Sequence, residues 1–256
     1  MKNYFMKILN QYIKEIYYLK WYIIPIIVAI VLSYSVYLFF NVDIVSNLGE
    51  EDHFFEWLTA LNFLAASIFL LSGFIKTKNF FFLLLSLLFF IGCAEEISWG
   101  QRIFNYETPE SIKEVNVQRE FNFHNIEIFD TYDFQGHSKH SLSRLLEVNF
   151  LFRIFTMLFG IVLPFCVFHI KLIADITKKI KLPIPPISIG IFFIINWLTF
   201  RILLSYVLPQ GRVFQFYDTA GEIFECIEAF VILIISLYFF NKRKINIPGM
   251  DIKHFI

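Results

Sequence analysis

The sequence predicts an all-α fold: one integral membrane domain over residues 1–256, a polytopic transmembrane helix bundle of six spans with both termini cytoplasmic and one long extracytoplasmic loop. Three observations predict it. The chain is 57% hydrophobic and carries 34 phenylalanines, more apolar surface than a water-soluble domain of 256 residues can hide, and its mean hydropathy is +0.61. Six apolar runs each approach the length of about 20 residues needed to cross a hydrocarbon core. The basic residues between those runs fall overwhelmingly on one side.

The elements follow in order. Residues 1–20 set Lys2, Lys7, Lys14 and Lys20 among Phe5, Ile8, Leu9, Tyr12, Ile13, Ile16 and Tyr17, the spacing of a basic amphipathic helix. This stretch reads as a cytoplasmic lead-in lying on the membrane surface. Trp21 to Phe40 is the first span, too long for the apolar part of a signal peptide and followed by no small-x-small cleavage site. The others are Trp57 to Ile75, Phe80 to about Gly100, Phe150 to Ile170, Ile187 to Leu208, and Ala220 to Phe240. Pro25 and Pro164 lie inside spans and predict local kinks.

Orientation comes from charge. In a six-span arrangement Lys2, Lys7, Lys14, Lys20, Lys76, Lys78, Lys171, Lys178, Lys179, Lys181, Lys242, Arg243, Lys244 and Lys253 share one side, which is therefore cytoplasmic. Of the 22 acids only Glu15, Asp175 and Asp251 join them. The predicted location is a bacterial cytoplasmic membrane, crossed several times. The net charge of zero says nothing about partners, and Cys93, Cys166 and Cys226, each inside a different apolar run, read as core or lipid-facing residues.

Carboxylates converge on the opposite face. Glu50, Glu51, Asp52 and Glu56 open the second span, Glu95 and Glu96 close the third, and Glu222, Glu225 and Glu228 enter the sixth at i, i+3, i+6, an arc of about 120° on one helix face. If the third helix continues past Glu96, then Glu95, Ser98 and Arg102 share an arc of about 60°, so one helix end presents acid, hydroxyl and base. A charge at the depth of Glu228 costs on the order of 3 kcal/mol by insertion scales and calls for a partner or a watery cavity. Arg201, near the outer end of the fifth span, is the predicted partner of Glu225 or Glu228.

The loop over residues 101–147 supplies further chemistry. Thr108-Pro109-Glu110 predicts a short helix over residues 109–115. Beyond it Asn116, Gln118, Glu120, Asn122 and His124 alternate with Val117, Arg119, Phe121 and Phe123. In an extended backbone the five polar groups line one edge, either of a half-buried strand or of a lid turned towards Glu95 and Glu96. His124 with Glu120 and a helix carboxylate suits a divalent metal such as zinc, or His124 acts as a general base. His53, His137 and His140 lie on the same face. HExxH, GxSxG, the P-loop, GxGxxG and any basic patch interleaved with aromatics are missing from the sequence, which leaves no nucleic-acid partner.

Three stretches carry a resemblance: Glu50 to Asp52 with Glu56-Trp57-Leu58-Thr59-Ala60-Leu61, then Glu95-Glu96-Ile97-Ser98-Trp99-Gly100-Gln101-Arg102, then Asn116 to Asn125. They resemble a family of bacterial polytopic membrane proteins to which no activity is attached. A looser likeness is to alkaline ceramidase-like membrane hydrolases, which also begin a span with acids. Those hold zinc with histidines on the helices, and no outer-half helix carries one here.

The functional expectation is a membrane-embedded enzyme acting on a lipid or lipid-linked envelope substrate by hydrolysis or group transfer. Glu95, Glu96 and His124 are its catalytic candidates, and Glu56, Ser98, Gln101, Arg102, Glu120, Arg201, Glu222, Glu225 and Glu228 its binding candidates. Membrane lipid is the expected partner. Two rivals stand beside it: a cation- or proton-coupled transporter or channel, which calls for more polar residues in the inner halves of the spans, and a non-catalytic sensor or assembly partner.

Overall fold

The computed structural model describes residues 2–49, 53–130, 133–135, 145–207 and 214–241, with side chains excepted at 2–11, 102, 207 and 214–217. Glu50, Glu51, Asp52, His137, His140, Pro209, Lys242, Arg243, Lys244, Asp251, Lys253 and the side chains of Lys2, Lys7 and Arg102 lie outside the described residues. The described chain is all-α, and five helices are long and apolar enough to cross a membrane.

The first helix, α1 (Lys2–Phe39), runs unbroken through the basic lead-in and the first apolar run. The lead-in is thus not a separate helix on the surface. Glu15 and Leu19 are already buried in the bundle, so packing carries the helix on through residues that amphipathicity alone placed on the membrane surface. A short helix, α2 (Val42–Leu48), follows, capped by the Asn41 side chain, which accepts from Ile44 N at 3.0 Å. Next come α3 (Phe54–Thr77) and α4 (Phe80–Glu96), an antiparallel hairpin turned by Lys78 in the left-handed region and Asn79, whose side chain caps α4. The pair is pinned by mutual Ser67–Ser86 hydrogen bonds and by Phe63 stacked on Phe89 at 6.0 Å.

Within the loop lie α5 (Gln101–Phe104) and α6 (Glu110–Lys113). The chain re-enters the bundle as α7 (Val148–Met157), a widened π turn (Leu158–Val162) and α8 (Leu163–His169). That π turn is how Pro164 is accommodated: its ring would clash with the carbonyl four residues back, and the extra residue opens the turn. The amphipathic α9 (Lys171–Ile180) leads to α10 (Ile187–Ile202) with a terminal π turn, and α11 (Phe214–Asn241) completes the bundle.

The most buried of the five spans is α11, contacted by α1, α2, α3 and α10. It runs parallel to α3: Thr59 neighbours Cys226 in the first half of each helix, and Lys76 sits 3.7 Å over the Phe240 ring near both ends. The bundle therefore has a loop end, where α4 stops and α3 and α11 begin, and a lysine end holding Lys76, Lys78, Lys178 and Lys181.

Candidate functional site

At the loop end the third apolar helix stops at Glu96, short of the predicted Gly100. Ser98 (φ 45), Trp99 (φ 54) and Gly100 (φ 84) all take left-handed backbone. Only Gly100 does so without steric cost, so the turn is held by what surrounds it. Tyr106 supplies part of the hold, its hydroxyl donating to Trp99 O at 3.2 Å. The reversal means that Glu95 and Ser98 do not share a helical arc as predicted. Ser98 turns to the loop instead and donates to Glu120 Oε2 at 2.7 Å.

Glu95 is the organising group. Its Oε1 accepts from Trp99 Nε1 at 2.5 Å, while its Oε2 accepts from the backbone N–H of Phe123 (2.6 Å) and of His124 (2.9 Å) and lies 3.3 Å from His124 Nδ1. Gln101 Oε1 accepts from Phe121 N at 2.9 Å, and Asn122 Nδ2 donates to Ser98 Oγ and Glu120 Oε2. Residues 120–124 are thereby docked across the end of α4.

The docked segment is not a strand. Asn116, fully buried, accepts with its Oδ1 from the backbone N–H of Gln118 and Glu120 and donates with its Nδ2 to Asn122. These local bonds coil the chain into turns where the alternation predicted extension. Gln118, also on the predicted edge, accepts from Asn125 Nδ2 and does not reach the helix ends.

Beneath the docked segment the carboxylates of three helices meet. Glu96 is an electrostatic neighbour of Glu56 on α3, Glu222 and Glu225 on α11, and Glu95. Glu225 also neighbours His124 and Arg153. One turn deeper, Glu228 is 1% exposed, and neither carboxylate oxygen has a hydrogen-bond partner. The counter-charge whose field acts on it is Arg153 on α7, whose guanidinium lies 4.9 Å over the Phe224 ring.

Arg201 does not take that role. Asn196 and Phe200 turn the inner face of α10 onto Phe224, through an Nδ2 bond to its carbonyl at 2.9 Å and a ring contact at 5.0 Å. Arg201, about 100° further round the helix, is exposed on the other side. The sequence did carry a signal for Arg153, a lone guanidinium about one turn inside an apolar run beside acids in other spans. Tyr34, whose hydroxyl donates to Asn196 Oδ1 at 2.9 Å, had no such signal.

His124 lies outside the spans, and its proton affinity is set by two opposing effects. Burial pulls it down, while the hydrogen bond to Glu95 and the fields of Glu95, Glu225 and Glu120 push it up, and the balance lies above the ordinary histidine value. Among the described residues no group of three His, Cys, Asp or Glu side chains has metal-holding geometry, so the set of His124, Glu120 and a helix carboxylate is not assembled as a metal site. Here Nδ1 of His124 faces Glu95, which leaves Nε2 as the nitrogen that can exchange a proton with a bound molecule. No family model, curated protein or solved structure matches this chain.

Proposed function

We propose that the protein is a membrane-embedded hydrolase or group-transfer enzyme that works on a lipid or lipid-linked substrate at the loop end of the bundle. The observation that carries this reading is the Glu95–His124 pair, docked by backbone N–H bonds over the carboxylates of α3, α4 and α11. A base whose second nitrogen is held by a carboxylate is the arrangement that general acid–base chemistry needs. In this reading His124 Nε2 takes a proton from water or a substrate hydroxyl, and Glu96 or Glu225 returns one to the leaving group. Arg153 steadies an anionic headgroup, and the exposed rings of Trp99 and Phe123 meet the acyl region.

The same reading takes α4, 17 residues and about 25 Å long, as a sixth span. Six spans put both termini and the lysine end in the cytoplasm of a bacterium and the site at the outer leaflet. Transport fits less well: below Glu228 the inner turns of α11 bury Val231, Ile232, Ile234 and Ile235, which offer no polar path.

The test is turnover of bacterial polar lipids by the purified protein in liposomes, followed by mass spectrometry of released headgroups and acyl chains. His124→Gln and Glu96→Gln should each lower the rate by about 10²-fold or more. No turnover by the wild type, or equal turnover in both variants, overturns the reading.

A further inference from the structure

The lysine end contains a cleft that the site above does not use. It opens to its surroundings and is lined by Tyr12, Glu15, Phe168, Ile184, Pro186 and Tyr238 among others, a wall drawn from α1, α8, α11 and the proline-rich link before α10. Among the described residues that line it, Glu15 alone carries a charge. The carboxylate is 7% exposed, and one oxygen is spent: Oε1 accepts from Ser188 Oγ at 2.7 Å and from Ser188 N at 3.2 Å, at the first turn of α10. Glu15 Oε2 has no hydrogen-bond partner among the described residues. Around it stand aromatic rings, with Tyr12 and Phe168 tilted against each other at 5.6 Å.

A mostly apolar cleft with one fixed carboxylate and several ring faces is complementary to a single kind of ligand. Rings attract a cation through their quadrupole, the carboxylate supplies the counter-charge, and the apolar wall accepts a hydrocarbon chain. An anion would meet Glu15 unpaired, and a neutral chain would leave Oε2 unsatisfied. We propose that this cleft binds an alkylammonium amphiphile, its nitrogen between Glu15 Oε2 and the rings of Tyr12, Phe168 and Tyr238 and its chain along Ile184 and Pro186. The prolines suit the role, because Pro183, Pro185 and Pro186 fix a buried, non-helical wall at little entropic cost. This site is separate from the proposed enzymatic one, and either can fail alone.

The experiment titrates hexyltrimethylammonium into the full-length protein in phosphatidylcholine nanodiscs by calorimetry, beside hexanol and hexyl sulfate. Saturable binding of the ammonium alone is expected, with its Kd raised at least tenfold in Glu15→Gln. Ile184→Trp, which fills the cleft and keeps the carboxylate, should abolish binding, and thermal unfolding checks that both variants are folded. Equal binding of hexyl sulfate, or an unchanged Kd in both folded variants, overturns the proposal. Nanodiscs containing phosphatidylethanolamine separate the sources: a raised apparent Kd there identifies an amine lipid headgroup as the occupant, and an unchanged one a free amphiphile.

Discussion

Glu95 spends its two oxygens on four donors, two of them backbone amides that no other group among the described residues satisfies. Hydrogen bonds to a charged acceptor contribute about 1.5–3 kcal/mol each, so this one side chain holds the docked loop in place. In Glu95→Gln the amide offers only one acceptor oxygen, and the amides of Phe123 and His124 should lose protection in hydrogen exchange while those of α3 and α11 do not. Unchanged protection at Phe123 would move the anchor elsewhere, to Gln101 and Ser98. The pH dependence follows from His124, whose proton is held more tightly docked than free. A raised value stabilises docking fully below the ordinary histidine range, near pH 6.5, and that contribution fades as pH rises through the docked value. Exchange protection at Phe123, corrected for intrinsic rates, should therefore fall with rising pH in this window. In His124→Gln the slope should vanish, and a slope of the opposite sign would rule the coupling out.

At the scale of elements, the apolar runs were legible because length and hydropathy alone decide whether a helix can span. The starts of α3, α4, α10 and α11 fall where those runs begin or a few residues earlier. The end of α4 was not legible, since Ser98 and Trp99 adopt positive φ under tertiary constraint and only Gly100 signals it. Nor was the coil at Asn116, where a two-residue alternation is answered by side-chain bonds to the backbone instead of by a ladder. The crossing of α10 over the π turn illustrates the same limit. Pro164 cannot donate to the Gly160 carbonyl, and Gly190 packs so closely there that an added Cβ would overlap that oxygen. Gly190→Ala should cost about 1–3 kcal/mol, seen as a lowered unfolding midpoint in mild detergent. At Gly160 an added Cβ meets the Phe193 ring at 2.7 Å, and that ring is 1% exposed in the core, so Gly160→Ala should lower the midpoint as well. An unchanged midpoint for Gly190→Ala would mean that the two helices can part without loss.

For the whole molecule, the packing constrains what the membrane must do. Helices α3 and α11 run parallel and start at the end where α4 stops, so Glu56, Glu96, Glu222 and Glu225 share one level while Lys76, Lys78 and Lys181 share the other. Burying either level in hydrocarbon would cost several kcal/mol per charge, which leaves the bundle upright with one level at each interface. The proposed orientation puts the lysine level in the cytoplasm, by the same bias that orients multi-spanning proteins generally. This is checked in a background where Cys93, Cys166 and Cys226 are replaced by alanine, with one cysteine returned at Gln135 in the loop or at Lys178 on α9, both exposed positions. In intact spheroplasts a membrane-impermeant maleimide should label Gln135→Cys and spare Lys178→Cys, and lysis should expose both. Labelling of Lys178→Cys before lysis would place the carboxylates and His124 on the cytoplasmic side, and the substrate would then have to come from the inner leaflet.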